Sequence, residues 1–332
     1  MTKPKFIMAI GVPASGKSTY WYDLIDEGLN CVHISSDSIR EELFDDANDQ
    51  NNNSEVFAEM LKRTKESLKQ GLNVYYDACS INRKRRIALL NELKKFDIDK
   101  IAVYFPLPID IVYLQNESRS RVVPKRVIDN MYKNLQIPIE FEGWDKATVI
   151  DDGIDETLAY NKWRFESKLL SELNHDNLFS WLSHNFKQFR QITDMPQDSR
   201  WHQFSVSRHT WYVYKYILDN YKPEREQDLL VMVWASLLHD TGKFYTKSFV
   251  DKDGNDKRYA SYHGHENPSS QIVYEVLSKY DYEIEFIHDV AILCQFHMFL
   301  NNSDNHDKLI KQVGQDMYEK LVFFNEADKQ AY

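Results

Sequence analysis

The sequence predicts two consecutive folds: an α/β domain whose parallel sheet carries helices on both faces, then an all-α domain. Three observations carry this expectation. Short β-rich apolar runs alternate with helix-length segments through the first half, and strand signals nearly vanish from about Tyr160 onward. Each half also holds its own cluster of residues suited to phosphate chemistry.

In chain order, FIMAIG (6–11), CVHIS (31–35), NVYYDA (73–78), IAVYFP (101–106) and ATVI (147–150) read as buried strands. Helical segments fall between them at 17–27, 54–70, 82–95 and 108–117. DDGIDET after residue 150 reads as a linker, and helical periodicity then covers 160–173, 177–190, 208–220, 226–239, 268–279, 283–298 and 306–328. The turn-rich KDGNDKR (252–258) is the one place for a hairpin or loop. The expected organisation is therefore 1–152 for the α/β domain, 153–175 for a linker and connecting helix, and 176–332 for the all-α domain.

Composition narrows the class. At 332 residues each domain can bury a core, and 14% aromatic residues with only 10 Gly and 9 Pro indicate a folded chain. A net charge of −10 argues against a sequence-blind nucleic-acid coat but leaves room for a narrow basic channel holding one strand end. Cys31, Cys79 and Cys294 show no CxxC spacing, so neither a disulfide framework nor a zinc ribbon is indicated. The apolar run in MTKPKFIMAIGV is too short for a signal peptide, and no stretch approaches the ~20 residues of a membrane span. A cytoplasmic protein without membrane partners is expected.

Residues 11–19, GVPASGKST, fit GxxxxGK[ST] between a strand and a helix. Gly11 and Gly16 allow a tight wrap in which backbone N–H groups, with those of Ser15 and Thr19, face phosphate oxygens. Lys17 can neutralise the β and γ phosphates and Ser18 can ligate Mg²⁺, so ATP or another nucleoside triphosphate with Mg²⁺ is the expected cofactor. SSDSIRE (35–41) puts Asp37 and Arg40 at the carboxyl edge of the sheet. There Asp37 is either a helix N-cap or a base for an attacking hydroxyl, and Arg40 can grip a phosphate. YYDACSINRKRR brings Asp77, Asn82 and the run Arg83–Arg86 to the same edge, either as a solvated helix face or as a hold on a polyanion. ESRSRVVPKRVIDNMY (117–132) carries Arg119, Arg121 and Arg126 where a lid would bring arginine to the transferring phosphoryl group.

Together these motifs, closing with GWDKATVID, resemble the kinase domain of phage polynucleotide 5′-kinases over roughly residues 5–152. The resemblance implies ATP and Mg²⁺ on Lys17 and Ser18, Asp37 as general base, Arg40 on the substrate phosphate, and Asp77, with Asn82 and Arg86, at the acceptor. One of the three lid arginines would contact ATP.

Nine of the eleven histidines lie after residue 180. His239 and Asp240 follow the apolar VMVWASLL, and burying such a pair is costly unless it is paired or bound to metal. Imidazole with carboxylate suits one or two of Mn²⁺, Fe, Co²⁺, Ni²⁺ or Zn²⁺, and Lys243 lies one turn further on. SRHTW, LLHDTGK, HGHEN, QFHMF and NEADKQA resemble the HD phosphohydrolase superfamily across about 170–332. That resemblance implies His209, His239, Asp240 and Asp328 as ligands, with His265 and His297 for a second metal; His263 could replace His265, and His202 could join the site. DMPQDSRWH is similar to the HD portion of some tRNA nucleotidyltransferases.

A 5′-hydroxyl kinase joined to a hydrolase for 2′,3′-cyclic, 2′- or 3′-phosphates would heal both ends of cut RNA, or DNA, for a ligase to join, in host cytoplasm if the chain is phage-encoded. Two other classes remain open: a nucleoside or nucleotide kinase fused to a small-nucleotide phosphohydrolase, and an ATP-regulated binding module with a degenerate HD fold.

Overall fold

A computed structural model describes residues 3–331 apart from 48, 152, 200–202 and 252. The chain divides into two compact units, one of Met1–Met131 with Pro138–Ile150, the other of Tyr132–Ile137 with Asp151–Tyr332.

The first unit contains β1 (Lys5–Ile10), α1 (Lys17–Asp26), β2 (Cys31–Ser35), α2 (Ser36–Phe44), α3 (Asn53–Lys69), β3 (Asn73–Asp77), α4 (Arg83–Leu93), β4 (Asp99–Tyr104), α5 (Ile109–Glu117), α6 (Lys125–Asn134) and β5 (Lys146–Val149); the last three residues of α6 count with the second unit. Every expected strand forms. Helix α2 was expected only through the N-cap reading of Asp37, and α6 not at all, because SDSIREELF and KRVIDNMYKN are short and mostly polar. The strands run parallel in the order β2-β3-β1-β4-β5. In such a sheet the central strand is covered on both faces, which explains why five of the six β1 residues are buried and why FIMAI is continuously apolar. Ile7, Ala9, Tyr75, Val103 and Phe105 join Leu24 and Cys31 in the core. The strand order reverses at β1, so the crevice for a ligand opens at its carboxyl end, where GVPASGKS begins.

The run Arg83–Arg86 corrects an expectation. Lys84 and Arg85 are exposed, but Arg83 and Arg86 turn inward onto Glu142, whose side chain has no exposure. Arg86 Nε and Nη2 lie 2.6 and 2.7 Å from the two Glu142 oxygens, and Arg86 Nη1 donates to Ser80 O at 2.9 Å. Arg86 is therefore an internal strut: positions 83 and 86, three apart, share the buried face of α4, while 84 and 85 face solvent. Removing one partner of a buried, bidentate pair leaves the other charge stranded. Glu142→Ala should lower stability by about 3–5 kcal/mol, read by calorimetric unfolding, whereas a surface pair such as Lys62–Glu59 should be nearly neutral.

The second unit contains α7 (Glu156–Tyr160), α8 (Lys162–Leu169), α9 (His175–Asn185), α10 (Lys187–Ile192), α11 (Val206–Asn220), α12 (Glu226–Leu238), α13 (Lys243–Thr246), β6 (Ser248–Val250), β7 (Asp256–Ser261), α14 (Glu266–Leu277), α15 (Ile284–Phe296), α16 (Phe299–Asn302), α17 (His306–Val313) and α18 (Gln315–Gln330). The expected hairpin at 252–258 forms between β6 and β7. Three expected helices break: 160–173 around Asn161, 177–190 at the extended Phe186, and 306–328 at Gly314. Aromatic packing fills the interior. Trp234, fully buried, stacks on Phe165 with ring centroids 5.6 Å apart. Among the described residues no helix is long and apolar enough to cross a membrane.

Candidate functional site

The first unit places the loop after β1 at the sheet's crevice. Gly11 N–H donates to Cys79 O at 3.1 Å, tying the loop's start to the end of the neighbouring strand β3. Gly16 caps α1 with φ of +90°, a conformation that costs glycine little and an L side chain much. Lys17 is buried, with Nζ 2.6 Å from Val12 O, so the lysine curls back over the loop. Ser18 and Thr19 are exposed at the helix start, and Ser15 is buried beneath them.

Asp77 ends β3. Ser18 Oγ donates to its Oδ2 at 2.7 Å, and His33 Nε2 lies 3.0 Å from the same oxygen. Burial pushes its carboxyl upward, but the His33 hydrogen bond, the Lys17 ammonium and the Ser18 hydroxyl outweigh it and hold the pKa below the usual value. Asp77, expected at the acceptor, contacts the hydroxyl expected to ligate Mg²⁺. Asn82 caps α4, accepting from Arg85 N–H at 3.0 Å. His33 was not anticipated, and one histidine in a short strand carries no signal for a partner 44 residues away.

Asp37 lies in the first turn of α2, but Ser35 is the cap, accepting from Ser38 N–H. The Asp37 carboxylate is thus free for other work. Arg40 Nη1 sits 3.1 Å from Oδ1 and Arg121 Nη1 2.5 Å from Oδ2, so two guanidiniums flank one half-exposed carboxylate. Asn53 accepts from Arg40 Nη2 at 2.6 Å and fixes its orientation. Arg119 and Arg126 are exposed, and Arg121 alone of the three lid arginines pairs with Asp37 among the described contacts.

The second unit gathers its site from helix ends. His239 and His297 cap the carboxyl ends of α12 and α15, His265 caps the amino end of α14, His209 lies in α11, and Asp328 in α18. Each imidazole commits Nδ1 to a backbone carbonyl: His239 to Ser236 at 2.8 Å, His265 to Tyr262 at 2.8 Å, His297 to Cys294 at 2.8 Å, and His209 to Ala331 at 3.0 Å. A carbonyl accepts only from N–H, so in each neutral ring Nε2 carries the lone pair, and all four Nε2 atoms point inward.

Those Nε2 atoms meet two carboxylates. His209 Nε2 is 2.9 Å from Asp328 Oδ1, and His239 Nε2 is 3.7 Å from the same oxygen. Asp240 Oδ2 lies 3.4 Å from His239 and 3.6 Å from His209, while its Oδ1 is 3.2 Å from His265. His265 and His297 face each other Nε2 to Nε2 at 3.0 Å. Two candidate ligand triplets result, His209–His239–Asp328 and Asp240–His265–His297, with the Asp240 carboxylate spanning them. His263 is exposed and outside both, and His202 lies outside the described residues.

Burial pulls His239 downward and His297 down to about 3; burial also opposes the His209 cation, yet its bond to Asp328 and the nearby Asp240 raise its pKa overall. Both carboxylates are held well below the usual range, against burial, chiefly by Lys243 for Asp240 and His209 for Asp328. Two buried anions and the neutral imidazoles that burial favours at His239 and His297 are protonation states a metal needs. The site passes a further test of fit: the buried His239 Nε2 has no hydrogen-bond partner, a cost that an ion would relieve. Lys243 Nζ reaches Asp240 Oδ2 at 2.7 Å, an ion pair that lacks hydrogen-bond geometry. Gly242 lets this turn approach α14, since a Cβ there would stand 2.1 Å from His265 O.

Fold and site define two kinds of domain in one chain, a P-loop kinase fold and an HD domain. Residues 6–138 match the AAA domain model and residues 206–329 the HD domain model. The L-seryl-tRNA(Sec) kinase of Methanococcus maripaludis is 25% identical over 166 residues, which is 47% of this chain and 62% of that protein, so the match spans less than two thirds of the relative's length. Similar solved structures include the Pnkp1/Rnl/Hen1 RNA repair complex, with a TM-score of 0.38, 23% identity, and 41% of this chain and 45% of that one covered. A fungal RNA kinase gives a TM-score of 0.36 at 16% identity over 69% and 53% of the two chains. A gluconokinase from Sinorhizobium meliloti 1021 gives 0.33 at 15% over 46% and 84%. The chain thus joins a domain of P-loop kinase fold to an HD domain.

Proposed function

We propose that this chain heals broken nucleic-acid ends, RNA ends above all, with a kinase domain (1–152), a linker (153–175) and an HD domain (176–332). The first transfers the γ-phosphate of ATP to a 5′-hydroxyl. The second, with one or two divalent transition metals, opens or removes 2′,3′-cyclic, 2′- or 3′-phosphates, leaving ends for an RNA ligase. The observation that carries this reading is the occurrence, in one molecule, of a half-exposed carboxylate paired with two arginines in the domain of the phosphate loop and of a six-residue imidazole–carboxylate cage.

In the kinase reaction Asp37 accepts the proton of the attacking hydroxyl as its oxygen bonds the γ-phosphorus, and the bond to the departing ADP breaks. Lys17 and the loop N–H groups hold the phosphates, and Arg40 with Arg121 stabilises charge developing on the transferred group. Ser18, backed by Asp77 and His33, is where Mg²⁺ belongs.

In the HD domain His209, His239, Asp240, His265, His297 and Asp328 would hold the ions. A bound divalent ion supplies Lewis acidity and a more acidic water there. Lys243 then offers its ammonium to a phosphate oxygen. The curated relative's name denotes a kinase acting on a tRNA, which fits an RNA-borne acceptor.

One RNA tests both halves. Given ATP, Mg²⁺ and Mn²⁺, the full chain should phosphorylate the free 5′-hydroxyl and release or open a labelled cyclic 3′ end. No transfer to any 5′-hydroxyl RNA or DNA would remove the kinase assignment. Preferential transfer to a free nucleoside would redirect it to small molecules.

A further inference from the structure

Gln197 has no place in either ligand triplet, yet its side chain points into the HD site. It lies in the segment between α10 and α11, in the stretch DMPQDSRWH, and is only 2% exposed. Its Oε1 accepts from Lys243 Nζ at 2.9 Å, and its Nε2 donates to Phe204 O at 3.3 Å. The surrounding strand of chain is anchored on both sides. Tyr262 OH donates to Gln197 O, Lys247 Nζ donates to Pro196 O at 2.6 Å and pairs with Asp198 at 2.6 Å, and Ala260 N–H donates to Asp198 O at 3.0 Å. Asp194 and Asp198, on either side of Gln197, take φ values of +54° and +48°, in the left-handed region that Asp tolerates better than most side chains.

We infer that Gln197 is a positioning residue for Lys243 in phosphate-ester hydrolysis, a role that rests on the phosphohydrolase reading of the HD site. The physical problem it solves is competition for Asp240. Lys243 Nζ sits 2.7 Å from Asp240 Oδ2, the oxygen that also faces His209 and His239. A cation held by the two triplets would repel the Lys243 ammonium, whose residue is 5% exposed and so has little access to water. Gln197 Oε1 is a neutral acceptor at hydrogen-bond distance on the other side. It retains one N–H of the ammonium and leaves the remaining two for a phosphate oxygen. The Tyr262 ring, 5.5 Å from Nζ, closes the third side. Without Gln197 the ammonium falls back on Asp240 and opposes both metal and substrate.

The test uses the full chain loaded with Mn²⁺, with bis-p-nitrophenyl phosphate as the probe diester. Gln197→Ala should lower kcat/KM about tenfold and raise the Mn²⁺ concentration needed for half-maximal thermal stabilisation of the chain. Lys243→Ala should lose more, and the double variant should be no worse than Lys243→Ala, because both changes remove one arrangement. Additive losses, or a Gln197→Ala protein whose Mn²⁺ dependence and kcat/KM match wild type, would overturn the positioning role while leaving the phosphohydrolase reading intact. A wild-type chain that hydrolyses no diester with Mn²⁺, Ni²⁺ or Co²⁺ would overturn that reading, and this role with it.

Discussion

Replacing Asp240 with alanine should abolish metal-dependent hydrolysis, lowering it by at least about 10³-fold, the equivalent of the several kcal/mol that a metal supplies to a phosphoryl transition state. The size of the effect follows from position. The Asp240 carboxylate has one oxygen 3.4 Å from His239 and the other 3.2 Å from His265, so its loss opens both triplets at once. The loss of any single histidine damages only one of them. Asp240→Ala also strands Lys243, and the unfolding midpoint of the metal-free protein should fall as well. Thermal scans with and without Mn²⁺ separate the two effects. Wild type at about 100 times the metal dissociation constant should gain ~2.7 kcal/mol, and the variant nothing. Kinase activity in the same sample reports that the rest of the chain is folded. Hydrolysis equal to wild type would remove the cage from the chemistry.

Asp37→Asn should lower the kinase kcat by about 10²–10⁴-fold, the usual contribution of a general base, with little change in KM for ATP. Asparagine keeps the shape and can still face Arg40 and Arg121, but it cannot take a proton. Lys17→Ala should instead raise KM for ATP and lower kcat together, because Lys17 is buried in the loop that wraps the phosphates. Neither change should affect release of phosphate from a cyclic 3′ end. A kcat for Asp37→Asn within threefold of wild type would reduce Asp37 to a salt-bridge partner.

Much of this was readable from local pattern. GxxxxGKS between a strand and a helix is a contiguous device whose parts act on one ligand, so its spacing is visible in the chain. His239–Asp240 after VMVWASLL is visible for a related reason: an ionisable doublet at the end of a buried apolar helix needs a partner. The strands were legible because parallel strands are buried on both faces and read as apolar runs. Helix α6 was not, and α2 only through the N-cap reading of Asp37, because short polar helices take their stability from what they pack on.

The sequence by itself determined the two fold types, the phosphate loop and the identity of the histidine–aspartate doublet, since each is encoded within one or two turns of chain. Tertiary structure alone decided that Arg121 rather than Arg119 or Arg126 meets Asp37, that Arg86 belongs to Glu142, that Asp77 serves Ser18 with His33, and that His265 rather than His263 faces His297. It also decided that Gln197 would hold Lys243. Such pairs lie tens of residues apart, and the order of parallel strands and the ends of packed helices set which side chains converge. A charge or an imidazole declares its chemistry in the sequence, but its partner is a matter of distance, and distance between remote residues exists only once the chain has folded.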